Sequence, residues 1–267
     1  RGDPAFYLDK GRNAGMVFTS MHLPPVGEDV EAGVAEAVAA ASFAAEYGVR
    51  VRAWQLDVTD RERVPIVLDE VLADLGHVDV LLNNAGCFTT RYTETPDGYE
   101  LQWQGNHLAP FLLTRLLMDS LEKAGSARIV NVSSEAHAPR IQFENLQGER
   151  KYTGYGAYSQ SKLCSILFTV ELADRIRETG ITANCLHPGV INTKLLRAGW
   201  AGGVGKPVSG GSRNSVYVAT APELEGITGQ YFVAMRPAMM PRVASDRDVR
   251  RRLWEVSEEM TGAEWQA

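Results

Sequence analysis

Little in this chain points to a membrane, a nucleic acid or a disulfide framework. No apolar run approaches the roughly 18 residues that a membrane-spanning helix needs. The first stretch of the chain has neither a basic n-region nor an apolar h-region. A soluble, cytoplasmic chain with no membrane contact is expected. Lysine and arginine (27) are outnumbered by aspartate and glutamate (33), for a net charge of −6. Binding to a phosphate backbone needs a basic patch or stripe, so nucleic acid is not an expected partner. Cysteine is scarce: Cys87, Cys164 and Cys185 are widely spaced, with no CxxC pair and no Cys/His cluster at zinc spacing. They read as buried thiols in a reducing compartment, and no metal site is expected. Internal repeats and low-complexity tracts are missing too, which excludes solenoid and propeller arrays.

What is present is a globular composition, 45% hydrophobic and 22% charged over 267 residues, enough for one α/β domain around one sheet. Short apolar runs alternate with longer amphipathic stretches, the pattern of βαβ units. Strands are expected at 5–8, 49–56, 78–82, 128–132, 182–187 and 230–233. Helices are expected at 28–47, closed by Gly48, and at 61–75, 109–124, 155–179 and 247–260. The fold class that follows is α/β, a Rossmann-type doubly wound parallel sheet with helices on both faces, in a single domain spanning 1–267.

Three stretches read as irregular. Residues 22–27 carry Pro24 and Pro25, which stop a helix. Residues 138–152 form a long polar connection. The glycine-rich segment 194–213 suits a flexible lid over a substrate pocket. Met239 and Met240, within 236–242, suit the lining of an apolar pocket because methionine adapts to irregular ligands.

The strongest chemical signal is Tyr158-Ser-Gln-Ser-Lys162. Residues spaced this way share a helix face, and a nearby ammonium favours the phenolate, so the tyrosine becomes a usable proton donor and acceptor. A lone pair of this kind is usually just a surface feature; its neighbours make it informative. Arg128-Ile-Val-Asn-Val-Ser-Ser134 reads as a parallel strand ending in hydroxyls, and ligand chemistry in open α/β sheets sits beyond the carboxyl ends of the strands. Ser134 is thereby expected in the same crevice. Asn83-Asn84-Ala85-Gly86 follows another strand, with small residues where backbone must approach a flat ligand closely and with Asn83 in position to pin neighbouring strands. His187-Pro188-Gly189 closes a further strand and sends the chain toward Thr193.

These pieces, in this order, make the sequence resemble the short-chain dehydrogenase/reductase superfamily. Asn83 to Gly86 looks like its NNAG motif, Asn106 its active-site asparagine, Ser134 its active-site serine, Tyr158 and Lys162 its YxxxK, and Pro188 to Thr193 its PGxxxT; Asp57 and Val58 look like its adenine-contacting pair. The strings around Asn106, Tyr158 and 226–232 are similar to retinol-dehydrogenase-like members. The resemblance implies a small, largely apolar carbonyl or secondary-alcohol substrate, with NADP or NAD as cofactor. Tyr158 would be the general acid/base, acidified by Lys162, which would also hold the nicotinamide ribose. Ser134 would bond the substrate oxygen and Asn106 would anchor a water. It further implies a homodimer or homotetramer paired through helices 109–124 and 155–179.

The chain departs from the family at its beginning, where a TGxxxGxG loop normally cradles the pyrophosphate. Residues 1–48 are a divergent dinucleotide-binding part: Gly11, Asn13 and Gly15 fit the motif, but Lys10 replaces its threonine and Val17 its third glycine. Three readings therefore stand side by side. The chain is an NAD(P)-dependent oxidoreductase; or an enzyme of the same fold using Tyr158 and Lys162 for cyclisation, dehydration or isomerisation; or a non-catalytic scaffold. The last has no physical need for Asn106, Ser134, Tyr158 and Lys162 together.

Overall fold

The computed structural model describes residues 16–19, 52–200 and 204–265. The expected strand 5–8, helix 28–47 and residues Gly11, Asn13 and Gly15 lie outside them. Five strands run parallel in chain order: β1 (Met16–Thr19), β2 (Val80–Asn83), β3 (Arg128–Val132), β4 (Thr182–His187) and β5 (Tyr231–Val233); the short β6 (Arg236–Pro237) adds antiparallel to β5. The helices are α1 (Arg63–Leu75), α2 (Leu101–Trp103), α3 (Ala109–Lys123), α4 (Gly154–Arg175), α5 (Lys194–Gly199), α6 (Val208–Thr220) and α7 (Arg247–Thr261).

Side chains alternate across a strand, and this sheet uses both faces. Leu81, Ile129 and Ala183 pack under α1, α3 and α4 with Val64, Phe111 and Phe168. Their neighbours Leu82, Val130, Val132 and Leu186 point the other way, against Val218 and Ala219 of α6. A parallel sheet covered on both faces is hydrophobic along its whole strands, and β2 and β4 are buried throughout.

Helix α4 has no solvent-facing side over most of its length: every residue from Tyr158 to Thr169 is buried. A helix buried all round needs cover on all sides. The sheet supplies one side and α7 another, with Trp254 5.0 Å from Phe111 and 5.8 Å from Phe168 between ring centroids. Arg250 of α7 ties down to Glu171 (3.3 Å) and Asp174 (2.7 Å) on α4. The described contacts cover the α7 side of α4, while Leu116 on α3 stays 39% exposed.

Four expectations need correction. Residues 52–56 form no strand, since they have no ladder partner among the described residues, although Trp54 and Leu56 keep the half-buried alternation that suggested one. Val17 lies within strand β1, in register with Leu81, rather than at the close-packed start of a helix. The supposed irregular lid is partly helical: the Thr193 hydroxyl accepts the Leu196 N–H (3.3 Å) to cap α5, and Ile191 bridges to Lys206 so that the excursion is pinned at its stem. Met239 is 93% exposed, whereas Met240 packs at the edge of the core.

Candidate active site

The site is assembled at the carboxyl ends of β2, β3 and β4. Asn83, at the end of β2, donates to Asn131 Oδ1 on β3 (2.9 Å), and Asn131 donates to Thr169 Oγ1 on α4 (2.9 Å). A second bond from Asn83 reaches Thr114 on α3 (3.1 Å). These side chains pin two strands and two helices, as expected of Asn83.

Between α2 and α3 the helix swells into a π-turn, Gln104–Leu108. Such bulges insert a residue and re-aim side chains. Here the re-aimed residue is Asn106, whose amide grips both backbone groups of Cys87, accepting its N–H (2.8 Å) and donating to its carbonyl (3.0 Å), and donates also to Ser161 Oγ on α4 (3.0 Å). Both amide hydrogens of Asn106 are therefore used in holding the loop after β2 and α4.

That loop carries Ala85 and Gly86. A Cβ on Gly86 would stand 3.3 Å from Lys162 Nζ and 3.4 Å from Asn106 Oδ1, so glycine lets the backbone lie directly on the lysine. Lys162 Nζ donates to the Val132 carbonyl (2.9 Å), and the Ser133 hydroxyl donates to the Lys162 carbonyl (2.6 Å). Ser134, one residue further, is buried and accepts the Ala136 N–H (3.1 Å), and its hydroxyl is near enough to the Tyr158 phenol to lower that phenol's pKa.

Tyr158 and Lys162 do share a face of α4, with Nζ 5.7 Å from the tyrosine ring centroid. The expected acidification is not present, however. Burial pushes the Tyr158 phenol up to about 12, an effect only softened by the Ser134 hydroxyl. Burial likewise drives the Lys162 ammonium down to about 8. Desolvation outweighs the attraction that spacing alone suggested, and the ammonium is turned to a carbonyl rather than to the phenol.

The remaining expected residues divide. His187, Pro188 and Gly189 leave β4 beside Ser134: the His187 ring accepts the Glu135 N–H (3.3 Å) and its other nitrogen meets the Glu135 carboxylate (3.2 Å). Gly189 has φ 98°, which favours glycine. The Thr193 hydroxyl caps α5. Asp57 folds back in a tight turn, accepting the Thr59 N–H (2.9 Å) and hydroxyl (2.7 Å), and Val58 is packed in the core. That turn is tied to the π-turn by Gln104 donating to the Thr59 carbonyl (2.9 Å).

Two features escaped the sequence reading. The first is a buried carboxylate: Glu100 caps α2 by accepting the Trp103 N–H (2.7 Å) and accepts the Tyr152 hydroxyl (3.0 Å), while Gln102 donates to the Thr89 and Gly154 carbonyls (both 3.2 Å). Burial raises the Glu100 pKa against these bonds. The network clamps the loop after β2 to the start of α4, where a Cβ on Gly154 would collide with the Thr89 carbonyl. The second is a set of rings on the outer side of Tyr158, from Phe88, Tyr155 and Trp200. Phe88 directly follows Cys87, and Trp200 stands in the glycine-rich segment; a large ring among glycines was the one available signal.

Comparison with known proteins agrees with this assembly. The family model for short chain dehydrogenases matches residues 29–201. Retinol dehydrogenase 14 of Mus musculus is 40% identical over 223 residues, covering 78% of this chain and 66% of that protein, so the chain spans about two thirds of that relative's length. Among solved structures, an uncharacterized protein from Mycobacterium paratuberculosis superposes with TM-score 0.71 at 31% identity, over 90% of this chain and 83% of that one. A blue fluorescent protein from a metagenomic library, in complex with NADPH, gives TM-score 0.58 at 29% identity over 74% of this chain and 80% of that one. With its motifs gathered at the sheet's carboxyl edge, the chain belongs to the short chain dehydrogenase family.

Proposed function

We propose that this chain is an NAD(P)-dependent oxidoreductase that interconverts a carbonyl and an alcohol on a small, largely apolar substrate, with Tyr158 as general acid/base. The observation that carries the reading is the convergence of the Tyr158 hydroxyl with Ser134 next to the buried Lys162, at the strand ends where an open α/β sheet takes its ligands. The name of the mouse relative and the NADPH in the metagenomic structure support it. In this reading Ser134 holds the substrate oxygen while Tyr158 donates to it. A phenol raised by burial to about 12 is protonated throughout the neutral range, as a donor to a carbonyl oxygen has to be.

The described residues fit the nicotinamide end of a dinucleotide. Gly86 brings bare backbone against Lys162 and Asn106 at the strand ends, and Gly189, with φ 98°, leaves a second stretch of backbone without a side chain after β4. When bound, the nicotinamide supplies or accepts the hydride. The protein's own part is to hold the substrate oxygen at the phenol and to exclude water: Tyr158 is 5% and Lys162 3% exposed. Lid behaviour of 194–213 and adenine contacts by Asp57 and Val58 belong to the same proposal.

A second reading, acid/base chemistry without hydride transfer, is favoured by one observation. Residues 20–27, which follow β1, hold a single glycine and two prolines, a poor supply of free N–H groups for a pyrophosphate. Calorimetry with NADH and NADPH separates the two. Micromolar binding of either is expected; no heat from both removes the oxidoreductase reading and leaves the second.

A further inference from the structure

Tyr158 has two unlike sides. Toward the sheet its surroundings are polar groups already bonded to one another. Toward the outside it meets rings: Phe88 edge-on at 5.7 Å and Trp200 edge-on at 5.7 Å between centroids, with Phe88 and Trp200 5.4 Å apart. Tyr155, 54% exposed, continues this wall outward at 6.1 Å from Trp200. These rings are the apolar surface beside the Tyr158 phenol that the substituents of a substrate carbonyl can meet.

The rings are not held alike. Phe88 is buried, follows the Cys87 backbone gripped by Asn106, and is backed by Gly199, where a Cβ would already sit 3.3 Å from the phenyl ring. Trp200 is half-buried and terminates the six-residue helix α5, its N–H bonded back to the Leu196 carbonyl (2.8 Å). Among the described residues its indole meets the site through ring contacts. It can therefore yield without breaking any polar network among them.

We propose that Trp200 is the specificity-determining residue of this site: its indole, seated on Tyr158 and Phe88, sets how large a group attached to the carbonyl carbon can approach the phenol. The inference rests on Tyr158 being the proton donor to a carbonyl. A small substituent fits beside the indole, whereas a wide one has to displace it. Pocket contacts of this kind discriminate by about 10- to 200-fold.

The test is steady-state reduction of benzaldehyde, 2-naphthaldehyde and 9-anthraldehyde with NADPH and with NADH, by the wild type and by W200F, W200L and W200A. The ratio of kcat/KM for 9-anthraldehyde to that for benzaldehyde is expected to rise about tenfold in W200A, less in W200L, and to stay within about twofold in W200F. If W200A fails to fold by circular dichroism, W200L carries the test. An active wild type with the same ratio in every folded variant overturns the role of Trp200 and leaves the oxidoreductase reading intact. A wild type inactive on all three aldehydes with both nucleotides overturns that reading and this inference together.

Discussion

The inner and outer walls of Tyr158 are built by different physics. On the inner side Asn83, Asn106, Asn131, Lys162 and Ser133 hold one another and the backbone through bonds of 2.6 to 3.1 Å that join residues distant in the chain. On the outer side Phe88, Tyr155 and Trp200 meet the phenol and one another ring against ring, 5.4 to 6.1 Å between centroids. A buried polar network is costly to disturb, because each orphaned group keeps its full desolvation penalty. Aromatic contacts are softer and add only about 0.5–1.5 kcal/mol each beyond the area they bury. In the proposed reaction the chemistry is thereby held by the fold, while the choice of substrate rests on replaceable surfaces.

Attacks on the inner wall have the largest expected effects. Tyr158→Phe removes the transferable proton and should lower kcat by about 10²- to 10⁴-fold with an unchanged melting temperature; turnover within a few-fold of wild type would show that the phenol is not the acid. Lys162 comes next. Its folded pKa near 8 lies below its ordinary value of 10.5, so between these pH values the unfolded chain binds more protons and stability rises with pH. Lys162→Met should abolish that rise and stabilise the protein at pH 7 by up to about 3 kcal/mol. Thermal melts across pH 7 to 9, below the range where the raised Cys87, Cys185 and Tyr158 make stability fall with pH, decide it: a variant that keeps the wild-type slope contradicts the buried ammonium.

Asn131→Ala should cost about 2 kcal/mol in urea unfolding, since it deprives Asn83 and Thr169 of their partner in the core. A loss below about 0.5 kcal/mol would mean the network carries little. The smallest effect is expected outside both walls. Met239→Ser, at a side chain 93% exposed, should change stability by no more than about 0.5 kcal/mol and leave kcat/KM alone. A clear loss of activity there would return Met239 to the pocket that its sequence position suggested.

The inner wall was legible in the sequence because its residues come in short strings with local meaning. Strand-ending Asn83 to Gly86, Arg128 to Ser134 and the helical spacing of Tyr158 and Lys162 each announce an element and a residue type at once. Strands β2 to β5 and the long helices follow from the same apolar patterning. The outer wall was not legible, because Phe88, Tyr155 and Trp200 come from three separate segments that only the tertiary fold brings together. Nor was the sign of the Tyr158 shift. Spacing reports that an ammonium is near, but desolvation depends on Phe88, Trp200 and α7 closing over α4. Nor did the sequence show that Trp254 and Arg250 of α7 lie on α4. The strand expected at 49–56 failed for another reason, its alternation being real and its ladder partner missing among the described residues.

The most direct test of the central claim follows a single atom. Incubating the protein with NADPH or NADH deuterated on the transferable C4 positions and with benzaldehyde, and weighing the benzyl alcohol by mass spectrometry, reports hydride transfer and its dependence on the phenol together. The wild type should yield alcohol carrying one deuterium at carbon and Tyr158→Phe almost none. Alcohol formed at equal rates by both proteins, or a wild type that binds the nucleotide yet returns the aldehyde unchanged, would contradict the account.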